Sequence, residues 1–234
     1  MSPGSTKDHE KYWVRVFDEK VRVEEDPARK LCFSSEANRQ SIYEAVLDFI
    51  DGPFDKALDA GAGDAELTLR LRQKGNFVVA LDISSEMLGL ARLKMDPRDP
   101  AAGLCRGSFI RPPFKPGSFD LIVASEALQH TPFFPTVYRL IELLRSGGVL
   151  VISIPHKAHP IIRRAQKRRA GMFKGIGGEE LSRLSRERGI ELWVRGLFLS
   201  GDLENRYVYG PIMRPPLPSG LRGANRVVLK ITKL

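Results

Sequence analysis

The sequence predicts an α/β protein with a doubly wound, mostly parallel sheet, and three features of the chain support this class. Short apolar runs bounded by polar residues recur along the chain, as the buried strands of a parallel sheet do. Helical stretches alternate with these runs, which is typical of βαβ units with helices on both faces. The first run ends in Gly61-Ala62-Gly63, where the chain can turn sharply and a ligand can lie against bare backbone.

The individual elements follow from hydrophobic spacing. A helix is expected near Glu36–Phe49, because Ile42, Ala45, Val46 and Phe49 fall at helical spacing. Ser84 is expected to cap the helix that follows the second strand. Strands are expected at about residues 55–59, 76–82, 103–107, 118–124, 148–154, 189–199 and 226–233.

The chain is expected to comprise an N-terminal cap and a ligand-binding domain that contains two additional segments. Residues 1–50 are predicted to form an N-terminal helical cap, and residues 51–234 the ligand-binding domain. Within that domain a basic segment at about 156–177 is interpreted as an insertion that caps the substrate. The stretch 200–225, long for a connection and rich in Pro and Gly, is interpreted as a loop that covers the substrate or contacts a partner.

Composition excludes several classes of protein. The chain has 234 residues, 42% hydrophobic and 28% charged, which is ordinary for a globular domain. It contains no apolar run of membrane-spanning length, and its first ten residues lack the apolar core of a signal peptide, so a cytoplasmic location is expected. Its two cysteines, Cys32 and Cys105, do not have metal-ligand spacing, so no metal site is expected.

The spacing between the glycine turn and the next strand predicts an adenosine-like cofactor. Asp82 follows Gly63 by nineteen residues and ends the second strand, where a ribose diol would be held. A dinucleotide site normally has a third Gly or Ala, but Glu66 stands there, and no Gly-Lys-Ser/Thr is present. Asp64 and Glu66 are expected to form an acidic rim that repels a pyrophosphate and favours a cationic adenosyl ligand.

Five motifs in this order resemble the class I S-adenosylmethionine-dependent methyltransferases, in the small-molecule subgroup that includes ubiquinone-type methyltransferases. The resemblance covers roughly residues 40–195. It implies S-adenosylmethionine as cofactor, methyl transfer as the reaction, and a seven-stranded sheet whose last strand is antiparallel. The motifs occupy residues 58–63, 81–88, 113–123, 127–130 and 144–152.

The resemblance assigns ten residues to the cofactor. Ile83 and Met87 would flank the adenine, and the backbone of Phe109 would donate to it. Ser108 stands where the family often carries an acid. Ser125 would offer its carbonyl to the ammonium of the methionine part, which Asp59 would approach directly or through water. The assigned residues are Asp59, Ala60, Gly61, Gly63, Asp82, Ile83, Met87, Ser108, Phe109 and Ser125.

Candidate catalytic and acceptor-binding residues lie outside the glycine turn. His130 follows the fourth strand and is predicted to be either a general base or an orienting or structural residue. His156, just past the fifth strand, is the second candidate base. The residues predicted to bind or cover the acceptor are Tyr12, Trp13, Arg163, Arg164, Tyr207 and Tyr209.

The basic segment is the reason why more than one kind of acceptor or partner is considered. Residues 157–174 carry seven cations and no acid, which favours an anionic partner over a merely solvated face. The favoured function is methylation of a small molecule, with oxygen slightly preferred over nitrogen or carbon and an acidic, phosphorylated or lipid-like acceptor in view. The alternatives are an RNA methyltransferase that grips phosphates, contact with an anionic membrane, and a catalytically inert partner subunit.

Overall fold

One sheet organises the chain in the computed structural model, which describes residues 6–25, 35–168, 174–201, 206–215 and 221–234. Within these residues the sheet has eight strands and is flanked by seven α-helices. The helices are α1 (Thr6–Val23), α2 (Glu36–Leu47), α3 (Glu66–Arg72), α4 (Ser85–Lys94), α5 (Phe133–Leu143), α6 (Pro160–Arg168) and α7 (Gly178–Leu184). The strands are β1 (Phe54–Ala60), β2 (Gly75–Asp82), β3 (Ala102–Arg106), β4 (Phe119–Ser125), β5 (Leu144–Pro155), β6 (Ile190–Leu199), β7 (Tyr207–Met213) and β8 (Arg226–Lys233).

The strand order places a crevice at the carboxyl ends of β1 and β4. The order is β3-β2-β1-β4-β5-β8-β6-β7, and β1 to β5 run parallel. The chain leaves β1 toward one edge of the sheet and returns to the other side at β4, so the two crossovers diverge there. β8 is antiparallel to both of its neighbours, β5 and β6.

Alternating side chains along the strands build a core on each face of the sheet. On one face Leu58 and Ile122 pack with apolar residues of α5 and α7. On the other face Ala57 and Val123 pack with α2 and α3. The apolar positions expected in the helix before the sheet, Ile42, Ala45, Val46 and Phe49, are all buried there.

The predicted α/β class, the mostly parallel sheet and its antiparallel last strand are confirmed, but the sheet has one strand more than the seven expected. β7 lies in the stretch interpreted as a covering loop and pairs with β6. Gly210 and Pro211 favoured a loop in the sequence. At the outer edge of a sheet, however, a proline needs no partner for its missing N–H, so an edge strand tolerates both residues.

The N-terminal helices have different neighbours. α1 lies beside α4, where Asp18 accepts a hydrogen bond from the Ser84 hydroxyl and Arg22 pairs with Glu86 at 2.9 Å. Ser84 also caps α4, as expected, by accepting from the backbone N–H of Met87. α2 packs on the sheet itself. None of the described helices is long and apolar enough to cross a membrane.

Edge strand β7 is joined to the core by a buried hydrogen bond, in which the Tyr207 hydroxyl donates to Asn225 Oδ1 at 2.6 Å. Tyr207→Phe should lower the free energy of unfolding by about 1 kcal/mol, because the bond is lost in a buried setting. Val208→Thr is the control, since Val208 is 58% exposed and should change stability by less than about 0.5 kcal/mol. Equal midpoints for both variants in urea titrations would show that this bond contributes nothing.

Candidate active site

The glycine turn after β1 is pressed against the segment that follows β4. Gly61 has φ +83°, and its N–H donates to the Leu81 carbonyl of the neighbouring strand at 2.8 Å. A Cβ on Gly61 would come within 2.6 Å of the Ala127 Cβ, and so no side chain fits at position 61. The wall of the crevice at this point is therefore bare backbone, as the sequence predicted.

Asp82 is fixed by backbone donors at the end of β2. Its carboxylate accepts from the N–H of Gly63 and from the N–H of Ser84, both at 2.9 Å. Burial raises the pKa of Asp82, and these two backbone bonds act in the opposite direction by stabilising the anion. Each carboxylate oxygen can accept a further hydrogen bond, so Asp82 can still bind a diol.

A cleft of about 800 Å³, including its part open to solvent, lies over these ends of the strands. Ten of the predicted residues line it: Trp13, Gly61, Gly63, Asp82, Ile83, Met87, Ser108, Phe109, Ser125 and His130. Nine others that line it were not singled out from the sequence: His9, Glu10, Phe17, Tyr43, Ala62, Ile110, Glu126, Ala127 and Thr131. Both sets are dominated by residues that directly follow a strand or face the sheet from α1.

Aromatic rings of α1 enclose His130 at one side of the cleft. The ring centroids of Trp13 and His130 are 4.0 Å apart, and those of Phe17 and His130 are 5.3 Å apart. Only 4% of Trp13 and 6% of His130 is exposed. The imidazole is therefore shielded from solvent by aromatic rings.

Glu126, on the same wall, has a strained backbone and a buried ion pair. Its φ is +51°, unusual for a residue with a side chain. Arg226 Nε donates to Glu126 Oε2 at 2.8 Å, with 8% of the carboxylate side chain exposed, and the Glu126 N–H donates to Ser153. The position directly after β4 could have pointed to Glu126, but nothing in the sequence links it to Arg226, one hundred residues away.

Comparison with known proteins identifies the chemistry of this cleft. Residues 58–152 match the family described as a methyltransferase domain. The chain is 27% identical to a ubiquinone biosynthesis O-methyltransferase of Azoarcus sp., over 71% of this chain and 84% of that protein. It is 30% identical to a demethylmenaquinone methyltransferase of Lactococcus lactis over 46% of this chain, but spans only 45% of that relative's length.

Residues 58–152 are thus a methyltransferase domain, and the chain has the fold of the S-adenosylmethionine-dependent methyltransferases. A solved structure with the same fold is the N-methyltransferase NodS from Bradyrhizobium japonicum in complex with S-adenosyl-L-homocysteine. It is 16% identical, with a TM-score of 0.67 over 94% of this chain and 97% of that one. S-adenosylmethionine is the cofactor of this methyltransferase, and the residues of the cleft fit it. Gly61 and Gly63 present backbone to the cleft, and Asp82 offers free acceptor capacity.

Two predicted cofactor residues of the methyltransferase, Asp59 and Ala60, do not line the cleft. The Asp59 carboxylate is buried and accepts from the Thr68 hydroxyl of α3 at 2.7 Å. It faces the helix because successive residues of a strand point to opposite faces of the sheet. Asp59 therefore anchors α3 to β1, and it supports the glycine turn from beneath. Direct contact with the ammonium group is not supported by this placement.

The second catalytic candidate, His156, is also outside the cleft. It is buried, and its Nδ1 lies 3.2 Å from the Ala224 carbonyl in the segment that precedes β8. Burial lowers the pKa of His156. Because β5 continues to Pro155, His156 is carried past the cleft toward Ile176, with which it forms an isolated bridge. This placement does not support a role for His156 as the base.

The five predicted acceptor-binding residues other than Trp13 either have other partners or are exposed to solvent. The hydroxyl of Tyr209 donates to the Ser41 carbonyl of α2 at 2.7 Å, and Tyr207 packs beside it. Tyr12 is 41% exposed and does not line the cleft, although its ring contacts that of Trp13, with the centroids 5.2 Å apart. Arg163 and Arg164 are exposed on α6 and line a separate surface depression. None of these five lines the cleft.

The expected acidic rim is not present at the cleft. Asp64 is buried and accepts from Arg39 Nη1 at 2.9 Å and from Lys94, while Glu66 pairs with Arg70 and Lys94 at 3.6 and 3.5 Å. Both carboxylates are thus paired with cations, of which Arg39 and Lys94 belong to other helices, and neither lines the cleft. The argument that they repel a pyrophosphate was wrong, although the cofactor that it favoured is correct.

One cation of the basic segment, Lys157, has an acidic partner that the sequence did not suggest. Lys157 pairs with Glu180 Oε1 at 2.6 Å. Burial raises the pKa of Glu180, but the contact with Lys157 and the backbone hydrogen bonds outweigh this effect, so the pKa is lowered. Arg163, Arg164 and Lys167 are exposed on α6. Arg169 lies outside the described residues, as does Cys32.

The contact between Gly61 and Ala127 yields a test of the cofactor site. Gly61→Ala should weaken binding of S-adenosylhomocysteine at least tenfold, because the added Cβ displaces the segment after β4. Gly52→Ala is the matched control, since Gly52 also has a positive φ (+76°) but nothing lies within 4 Å of its added Cβ. Isothermal titration calorimetry measures both. Similar affinities for the two variants would contradict this placement of the cofactor.

Asp59 makes the stability of the methyltransferase depend on pH. Burial raises the pKa of Asp59 to about 7, so the folded state retains a proton that the unfolded chain releases near pH 4. The free energy of unfolding should therefore fall as the pH rises from 4 to 7, by at most about 4 kcal/mol from this group. In urea titrations Asp59→Asn should remove this decline, whereas Asp55→Asn, exposed on the same strand, should not. Parallel pH profiles for Asp59→Asn and the wild type would contradict the assignment.

Proposed function

We propose that this methyltransferase methylates a hydroxyl oxygen of a small, planar and mostly apolar acceptor. The observation that carries the proposal is the enclosed wall formed by Trp13 and Phe17 around His130. Flat aromatic walls favour planar rings, and the imidazole of His130 between them is a side chain that can act as a base. The relatives named above act in ubiquinone and menaquinone pathways, which supports a quinone-type acceptor.

The residues of the cleft contribute by binding, orientation and exclusion of water. When bound, S-adenosylmethionine supplies a methyl group on a positively charged sulfur, which a hydroxyl oxygen can attack. The glycine turn and Asp82 hold the nucleoside, so that its position relative to the wall is fixed. His130 accepts the hydroxyl proton as the oxygen becomes the nucleophile. The rings of Trp13 and Phe17 exclude water and restrict the acceptor to one plane.

The basic helix α6 is not part of this proposal. Its exposed cations, Arg163, Arg164 and Lys167, lie outside the cleft, and Lys157 is already paired. An acidic or phosphorylated acceptor therefore receives no support from these residues. RNA binding through the same face would be independent of the cleft and would weaken steeply as salt rises.

A labelling experiment tests the proposal. The protein is incubated with S-adenosylmethionine labelled in its methyl group, and with either a panel of phenols and hydroxyquinones or total RNA. We expect label in the organic phase with a member of the panel. Label in RNA that disappears at high salt would favour the RNA methyltransferase. Binding of S-adenosylhomocysteine without turnover on either set would indicate an inert subunit.

His130→Asn separates the proposed base from a binding residue. With a hydroxyl acceptor, kcat should fall by about a hundredfold or more, and the ascending limb of its pH profile should be lost, because no group remains to take the proton. Affinity for S-adenosylhomocysteine should change less than about twofold. His159→Asn, outside the cleft, is the control. Full activity of His130→Asn would contradict a base role.

A further inference from the structure

Helix α1 presents two buried polar atoms to the cleft that have no hydrogen-bond partner within the described part of the chain. They are Glu10 Oε1 and Trp13 Nε1. The two residues are three positions apart on the helix, so their side chains lie on the same face, one above the other. The second carboxylate oxygen, Glu10 Oε2, accepts from Arg111 Nη2 at 2.8 Å.

One of the two atoms is a hydrogen-bond donor and the other is an acceptor. Arg111 occupies one oxygen of the Glu10 carboxylate and leaves the other for a donor. Trp13 Nε1 can only donate, and Glu10 Oε1 can only accept while the carboxylate is ionised. Because a buried polar atom is costly when it has no partner, the pair is complementary to an occupant that supplies both a donor and an acceptor.

We infer that Glu10 and Trp13 select an acceptor by a second hydroxyl group, beside the one whose proton His130 takes, an inference that rests on the proposed function. A hydroxyl donates one hydrogen bond and accepts another, so it can satisfy both atoms. An ammonium has no lone pair for the Trp13 N–H. A methyl ether has no hydrogen for Glu10, so it satisfies the pair less well than a hydroxyl does. Glu10 and Trp13 are thus specificity-determining residues for the reaction.

The position of the pair along α1 favours the acceptor over the nucleoside. Asp18 of α1 contacts Ser84, which lies two residues beyond the ribose-binding candidate Asp82. Glu10 precedes Asp18 by eight residues, or about 12 Å along the helix. The Trp13 ring lies between them and contacts His130. The pair therefore faces the region of the proposed base.

Binding to the protein loaded with S-adenosylhomocysteine tests this inference with three probes of similar size: phenol, anisole and benzylamine. Ligand-observed NMR titrations give their dissociation constants. We expect phenol to bind more tightly than anisole or benzylamine. Trp13→Phe keeps an aromatic ring but removes the donor, and should weaken phenol about fivefold to tenfold. Glu10→Gln should do the same, because Arg111 retains the side-chain oxygen and an NH₂ group then faces the hydroxyl.

Two matched controls and a separate cofactor titration make the outcomes distinct. Trp193→Phe on β6 and Glu19→Gln on the exposed face of α1 should leave phenol binding within twofold of the wild type. Benzylamine binding more tightly than phenol would overturn the inference. So would variants that weaken S-adenosylhomocysteine instead of phenol, since the pair would then serve the cofactor. Failure of the wild type to bind S-adenosylhomocysteine would instead contradict the cofactor site itself.

Discussion

The close approach of two backbone segments at the centre of the sheet constrains the rest of the active site. The turn after β1 meets the segment after β4 so closely that Gly61 cannot carry a Cβ. Both sides of this contact are fixed from behind. Asp82 accepts from the N–H of Gly63 on one side, and Arg226 holds Glu126 in its left-handed conformation on the other. Since β8 carries Arg226, the antiparallel strand at the far side of β5 contributes to the geometry of the cleft.

The site residues that could be predicted from the sequence are those that local sequence patterns place at the ends of strands. Gly61, Asp82, Ile83 and Ser125 each directly follow or end a strand, and the carboxyl ends of parallel strands share one edge of the sheet. Strand positions were predictable for the same reason, because burial on both faces leaves continuous apolar runs. His156, Tyr207 and Tyr209 also follow or begin strands, but their surroundings depend on how β5, β6, β7 and β8 pair. That pairing is long-range and has no local signature.

Charge was the least predictable property, because a sequence gives the sign of a side chain but not its partner. Asp64 and Glu66 suggested an acidic rim, yet Arg39, from twenty-five residues earlier, and Lys94, from thirty residues later, neutralise them. Their pairing joins α2, α3 and α4 around the glycine turn. Removing one partner of such a buried pair leaves an uncompensated charge, so these residues contribute to specifying the fold more than to choosing the ligand.

Helix α1 combines two roles that place opposite demands on it. It must exclude water from the cleft, and it must allow ligands to enter. The ion pair of Arg22 with Glu86 is exposed, with 68% of the Arg22 side chain in solvent, and such pairs contribute little to stability. The contacts of the Trp13 and Phe17 rings with the buried His130 are therefore the stronger attachment of α1 to the domain. The same face carries Glu10 Oε1 and Trp13 Nε1, which lack partners among the described residues. A bound acceptor that satisfies both atoms would strengthen the attachment of α1, and so substrate recognition and exclusion of water would be coupled through one helix.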